Sequence, residues 1–158
     1  MFLYNFYADY FNALAITIFP GLTLLILFFI RDKNKEPFSM VISTFAMAFI
    51  ITMPLDLLIQ IVDPILLSLF DNQLFNSFLA FFRAGFLEEF LKFSVLYYYV
   101  AKHYEFDEFL DGVVYGAAIG LGYAVTENLG YLYFNQDYVY TDLAYIRLTP
   151  MIAHTLFG

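Results

Sequence analysis

Long apolar stretches separated by short polar ones dominate the chain, and they predict an all-α protein that crosses a membrane several times. A bilayer core is about 30 Å thick, and crossing it takes about 20 helical residues. Four stretches meet that length, and a fifth is shorter. We therefore predict a polytopic transmembrane helix bundle of four full spans plus a partial fifth, at residues 11–30, 38–62, 78–101, 112–134 and 145–158.

The polar segments predict the connections and the orientation of the bundle. The predicted loops are residues 31–37, 63–77, 102–111 and 135–142. Basic residues concentrate in the first of these, and Lys102 lies in the third, on the same side of the membrane. Because basic loops stay in the cytoplasm, we predict that both loops are cytoplasmic and that the N-terminus is outside.

The last apolar run is too short to cross a bilayer core. From Arg147 to Gly158 there are 12 residues, which as a helix cover about 18 Å. We expect residues 1–158 to form a single integral membrane domain that is an incomplete piece of a longer protein.

The composition supports a membrane protein and excludes several function classes. Hydrophobic residues make up 62% of the chain and charged residues 14%, whereas an ordinary soluble domain has about 45–50% and about 25%. The net charge of −8 argues against nucleic acid as a partner and against a polybasic anchor. With no cysteine, disulfides, thiolate catalysis and cysteine-based metal sites are excluded. The composition therefore predicts a lipid bilayer as partner.

Charged residues also lie inside the predicted spans, among them Glu88, Glu89 and Lys92 in the third and Glu127 in the fourth. Each costs roughly 2.5–3.5 kcal/mol at a helix centre, so such residues normally face a cavity or one another. Glu88 and Lys92 are four residues apart, with the acid first, which predicts an ion pair on one helix face.

Small residues predict close helix packing beside these charges. Gly112, Gly116 and Gly120 form a small-xxx-small stripe in the fourth span, and such stripes let two helix backbones approach. Glu127 continues the same stripe and is therefore expected on the packed side. Gly85, one turn before the acids of the third span, predicts a matching surface there.

The depths of the polar groups in the membrane agree with one another. Measured from the outer ends of their predicted helices, Glu88 lies about 15 Å deep and Glu127 and His154 about 10 Å. Carboxylates and an imidazole at one level are suited to hydrolysis. A carboxylate can activate a water as general base, and the imidazole can donate to an oxyanion or bind a metal. A metal-bound water is the alternative nucleophile.

Three motifs carry a family resemblance. The segments EEFLK (88–92), FDEFLDGVVYGAAIGLGYAVTENLGY (106–131) and RLTPMIAH (147–154) resemble the PrsW family of intramembrane proteases, which is distantly related to the CAAX prenyl protease and Abi group. The resemblance covers about residues 80–158. Tyr123 stands where the family usually has Phe, and family members continue past the histidine with further helices.

The resemblance implies roles for specific residues. Glu88 and Glu89 would be the paired catalytic acids, and Glu127 and His154 would complete the catalytic set. Lys92 and Asn128 would support them. Family members cut membrane-tethered anti-sigma factors near the outer face of the bacterial cytoplasmic membrane. The resemblance leaves open a zinc ion, with Glu88, Glu127 and His154 as candidate ligands, or a water activated by glutamate alone.

Other functions and roles fit parts of the pattern. A proton- or ion-coupled carrier, a non-catalytic scaffold or immunity protein, and a prenyl-protein endopeptidase are the alternatives. Asn128 is equally suited to a helix–helix contact. We expect Asp56, near the outer end of the second span, to satisfy local helix ends or to meet interfacial water, and Arg83 to extend to the membrane interface.

Overall fold

The structure, a computed structural model, describes residues 2–70, 72–134 and 140–158. Every regular element in these residues is helical, which confirms the predicted all-α class. In chain order the elements are α1 (Phe2–Arg31), α2 (Phe38–Leu69), α3 (Gln73–Phe81), the π-helical segment π1 (Phe82–Glu88), α4 (Glu89–Val95), a second π-helical segment π2 (Leu96–Val100), α5 (Phe109–Phe134) and α6 (Tyr140–Phe157).

Within the described residues, three helices are long and apolar enough to cross a membrane, namely Phe11–Arg31, Phe38–Leu69 and Phe109–Phe134. The first, second and fourth predicted spans fall within them. The third predicted span lies in one continuous helical stretch, residues 73–100, in which α and π winding alternate. Because this stretch carries several charges, it is less apolar than the other three, and the count of four full spans plus a partial fifth stays a prediction.

Helix α5 forms the centre of the bundle and packs against α1, α2 and α6. Most of α5 is buried, including the large side chains Tyr115, Ile119 and Leu121. In contrast, α1 and α2 turn large apolar side chains such as Phe19 and Ile50 outward. A helix bundle with an apolar outer surface suits a bilayer, because helices satisfy their own backbone hydrogen bonds.

The glycine stripe of α5 is a close contact with α6. A Cβ atom on Gly120 would overlap the carbonyl oxygen of His154, and one on Gly116 would lie 2.7 Å from the carbonyl oxygen of Gly158. The predicted close packing is confirmed at these two glycines. A Cβ on Gly112 would meet nothing nearer than 4.0 Å, so this residue does not belong to the contact.

The matching surface predicted at Gly85 is absent from the described contacts. Gly85 is exposed, and the atoms nearest to an added Cβ belong to Phe81, one turn earlier in the same helical stretch. The small-residue surface of α5 pairs with α6 instead of the third predicted span, because it is α6 that approaches Gly116 and Gly120.

The predicted loop at residues 63–77 is wrong over most of its length. Helix α2 runs through Pro64 to Leu69, and α3 begins at Gln73 with the Asn72 side chain accepting a hydrogen bond from the Leu74 amide at 2.8 Å. Asp63, which suggested a turn, forms an ion pair with Arg83 of π1. This pairing lets the charged Asp63 stay in a helix, and the position of Arg83 at the membrane interface stays a prediction.

The two loops predicted to share one side of the membrane do meet. The Asn34 side-chain amide donates a hydrogen bond to Glu108, and the Tyr115 hydroxyl donates one to Glu36. The loop at residues 31–37 is therefore tied to the start of α5. Most of the predicted loop at residues 135–142 lies outside the described residues.

Candidate active site

A polar cavity of about 160 Å³ lies between α2, π1 and α5. That volume can hold several water molecules, since one water needs only about 10–15 Å³ of such space. Residues of α2 and π1 form one side, and residues of α5 form the other. Its lining includes the polar side chains of Asp56, Gln60, Asp63, Arg83, Glu88, Tyr123, Glu127 and Tyr131.

The two adjacent acids of the first motif point in different directions. Glu88, the last residue of π1, is 6% exposed and lines the cavity. The side chain of Glu89, the first residue of α4, is 51% exposed. Neighbouring residues of a helix lie about 100° apart, so one wall of a cavity can take only one of them. The side chain of Tyr123 lines the same cavity as Glu88.

Lys92 joins the first motif to the third. Its ammonium lies 2.7 Å from Glu89 Oε1 and 2.9 Å from His154 Nδ1. The predicted Glu88–Lys92 ion pair is thus replaced by a pair with Glu89, three residues earlier. This happens because Lys92 turns toward α6, where it reaches His154, while Glu88 turns toward the cavity.

His154 is held by a charged group at each ring nitrogen. An ammonium has only donors, so His154 Nδ1 must accept the hydrogen bond from Lys92. The proton of the neutral ring is then on Nε2, which lies 3.2 Å from Glu127 Oε2. The Tyr123 ring packs against the imidazole with 4.9 Å between centroids. These contacts fix both the tautomer and the plane of the ring.

Arg147 fastens α6 to α5 at the same level. It forms an ion pair with Glu127, its Nε donates to Asn128 Oδ1 at 2.9 Å, and its guanidinium lies 4.1 Å from the centroid of the Tyr131 ring. Asn128 therefore makes the helix–helix contact that was one of its two predicted roles. Arg147 was not assigned to the site from the sequence. The available signal was that Arg147 begins the apolar run that follows Glu127 by one loop, a position from which it can form an ion pair with that acid.

Asp56 also belongs to the cavity. It is buried and lines it, a position that the sequence did not predict. Gly130 of α5 makes room for it, because a Cβ there would overlap the Asp56 carboxylate. The available signals were Asp56 in one apolar span and Gly130 in another, but no pattern in the sequence showed that these two residues are in contact.

A zinc ion shared by Glu88, Glu127 and His154 does not fit this arrangement. Among the described residues, the one group of three acids or histidines whose donor atoms all lie within 4.8 Å is Asp32, Glu36 and Asp111, at the other end of α5. A zinc-bound histidine directs one bare ring nitrogen at the metal. The only bare nitrogen of His154, Nδ1, faces the ammonium of Lys92.

Comparison with known proteins agrees with the motifs. A family model described as PrsW family intramembrane metalloprotease matches residues 36–158. The chain belongs to the PrsW family. Protease PrsW of Bacillus subtilis (strain 168) is 34% identical over 151 residues, which are 94% of this chain and 65% of that protein. Protease PrsW of Geobacillus kaustophilus (strain HTA426) is 36% identical over 94% of this chain and 63% of that protein.

The chain thus spans somewhat less than two thirds of the length of these PrsW relatives. No solved structure matches it. The family resemblance carried by the three motifs is confirmed, and the match also takes in α2, which lines the cavity through Asp56.

Proposed function

We propose that the full-length protein is an intramembrane protease that hydrolyses a peptide bond of a membrane-tethered protein, such as an anti-sigma factor. Membership of a family described as intramembrane metalloproteases supports this proposal. The observation that carries it is the buried carboxylate of Glu88, which lines a polar cavity large enough for several waters together with Tyr123 and Glu127. A buried carboxylate beside water is the general base that hydrolysis needs.

In the proposed reaction, Glu88 takes a proton from a cavity water as that water attacks the scissile carbonyl carbon. The new C–O bond gives a tetrahedral intermediate whose oxyanion needs a hydrogen-bond donor. We assign that role to the Tyr123 hydroxyl, a donor that lines the cavity with Glu88. The C–N bond then breaks, and Glu88 passes its proton to the departing amine.

The remaining predicted residues hold this arrangement in place. A chain of contacts runs from Glu89 through Lys92 and His154 to Glu127, and Arg147 compensates the last acid. We assign Glu127 and His154 to orienting the reacting groups from α5 and α6. Glu89, on the exposed side of α4, acts through Lys92 and not on the substrate itself.

No step is assigned to a metal, since the described residues do not form a zinc site at the cavity. The protein is proposed to lie in the bacterial cell membrane with its N-terminus outside. The basic residues of the loop at residues 31–37 support that orientation, which places the cavity nearer the outer face.

Cleavage by the full-length protein tests the proposal. The protein is reconstituted in liposomes with a single-span substrate, and cut product is followed over time. Glu88→Gln removes the base while keeping the shape of the side chain, so the rate should fall at least about 100-fold. Asp107→Asn, an exposed acid at the other end of α5, is the matched control and should cut like the wild type.

Undiminished cutting by the Glu88→Gln variant would contradict the proposed mechanism. The same liposomes, loaded with a pH-sensitive dye, test the carrier alternative, because buried carboxylates also mark proton pathways. If the vesicles cut no substrate but show a proton flux that depends on Glu88, the protein is a carrier and not a protease.

A further inference from the structure

A second group of buried acids lies far from the cavity. Asp32 and Glu36, in the loop between α1 and α2, and Asp111, in the first turn of α5, are 4%, 5% and 0% exposed. One carboxylate oxygen from each lies within 4.8 Å of the others. Asp111 precedes Glu127 by 16 residues, which is about 24 Å along α5, so this acid cluster is separate from the proposed catalytic groups.

Each acid of the cluster already has one hydrogen-bonded oxygen. Asp32 Oδ1 accepts from the Asn34 amide at 3.2 Å, and Asp111 Oδ2 accepts from the amides of Asp107 and Glu108 at 2.8 and 2.6 Å. Glu36 accepts from the Tyr115 hydroxyl. These bonds hold the carboxylates in fixed positions with their other oxygens left over.

Two of the left-over oxygens have no hydrogen-bond partner. Asp32 Oδ2 and Asp111 Oδ1 are fully buried and accept no hydrogen bond. None of the ion pairs formed by the described residues includes Asp32, Glu36 or Asp111, and the nearby Lys33 and Lys35 are exposed. Buried carboxylates without a counter-charge are costly. The cluster therefore needs a positive charge that no ion pair of the described residues supplies.

We propose that Asp32, Glu36 and Asp111 bind a divalent cation of the magnesium and calcium class, which ties the loop between α1 and α2 to the start of α5. The donors are all oxygens, and three carboxylates are the ligands that such hard cations prefer. With no imidazole or thiolate in the cluster, zinc is the less suitable ion.

A shared proton is the competing way to neutralise the cluster. Burial raises the pKa of Glu36 to about 7, and the neighbouring Asp111 and Asp32 raise it as well, against the hydrogen bond from Tyr115. A proton between Glu36 and Asp111 would satisfy two of the acids without any metal. The two alternatives differ in whether the folded protein takes up a divalent ion.

Manganese binding separates them, because Mn²⁺ takes the same oxygen ligands and its free form is measured by electron paramagnetic resonance. The full-length protein in detergent is treated with EDTA, desalted and titrated with Mn²⁺ at pH 7.5. We expect the wild type to bind one ion more per chain than Asp32→Asn, with Mg²⁺ or Ca²⁺ displacing it. Asp111→Asn should weaken this binding about tenfold or more.

Two control variants bracket the result. Asp107→Asn alters an exposed acid just before α5, and Glu127→Gln alters the other end of α5. Both variants should keep the additional ion. A wild type that binds no Mn²⁺, or Asp32→Asn and Asp111→Asn variants that bind as the wild type does, would overturn the proposal.

Thermal unfolding guards against a variant that merely fails to fold. In EDTA, Asp32→Asn should unfold at or above the wild-type temperature, because it removes a buried charge. Saturating Mn²⁺ should then raise the unfolding temperature of the wild type and not that of Asp32→Asn. Equal shifts in the two proteins would contradict a site at this cluster.

Discussion

At the residue scale, the adjacent acids Glu88 and Glu89 have different surroundings although they are neighbours in one helical stretch. Glu88 is buried against the cavity and Glu89 is half exposed beside Lys92. The sequence predicts that charged residues in an apolar span face something polar, and both acids do. It does not predict which of two adjacent residues faces the cavity, because that depends on the rotation of the helix. Here π1 ends at Glu88, and no residue pattern announced its wider turn.

The Arg147–Glu127 pair leads to a stability prediction at the same scale. Both side chains are largely buried, at 9% and 16% exposed, so Arg147→Met leaves the carboxylate of Glu127 without its main counter-charge. Losing one member of a buried pair costs about 3–5 kcal/mol. We expect that loss in the free energy of unfolding, measured by denaturant titration in detergent micelles.

Arg83→Met is the matched control, because its ion pair with Asp63 is more open, at 29% and 18% exposed. An open pair contributes about 1 kcal/mol or less. Equal losses in the two variants would show that Arg147 is no more than a surface cation.

At the scale of the elements, α5 organises the site because its glycine at position 120 lets the backbone of α6 come close. The contact at Gly120 places the backbone of His154 against α5, one turn before Tyr123 and two before Glu127. The stripe of glycines predicted that some helix would pack here. The stripe did not identify α6, since a single sequence shows which helix surface carries small residues but not which other helix packs against it.

Gly120→Ala therefore tests how the site is assembled. The added methyl overlaps the carbonyl oxygen of His154, so α6 must move, and overpacking of this kind costs about 1–3 kcal/mol. We expect a lower unfolding free energy together with a cleavage rate reduced by more than the unfolded fraction explains.

Gly112→Ala provides the comparison in the same helix. The nearest atom to its added methyl is 4.0 Å away, and alanine favours a helix over glycine by about 1 kcal/mol. Its stability and cleavage rate should match or exceed those of the wild type. A Gly120→Ala variant that behaves in the same way would refute the close contact with α6.

At the scale of the whole molecule, polar groups collect at the two ends of one buried helix. Glu127 and Asn128 meet α6 near one end of α5, and Asp111 meets the loop between α1 and α2 at the other. The length of the apolar runs predicted the bundle, and the basic loops predicted which connections share a side. The extension of α2 to Leu69 was not predictable, because Asp63 is a residue typical of turns. Its ion pair with Arg83, 20 residues later, could not be read from the sequence.

The central claim is that α4 and α6 converge on α5, so that Lys92, His154 and Glu127 form one connected group beside Glu88. Residues 1–158 contain no cysteine, so two cysteines introduced there are the only ones in this part of the protein. Cross-linking of Lys92→Cys with His154→Cys by a short bismaleimide in native membranes measures the approach directly. We predict rapid formation of the intramolecular product for this pair. The pair Phe93→Cys with His154→Cys should react slowly, because Phe93 is exposed on the far side of α4. Equal rates for the two pairs, or no product from the first, would contradict the account.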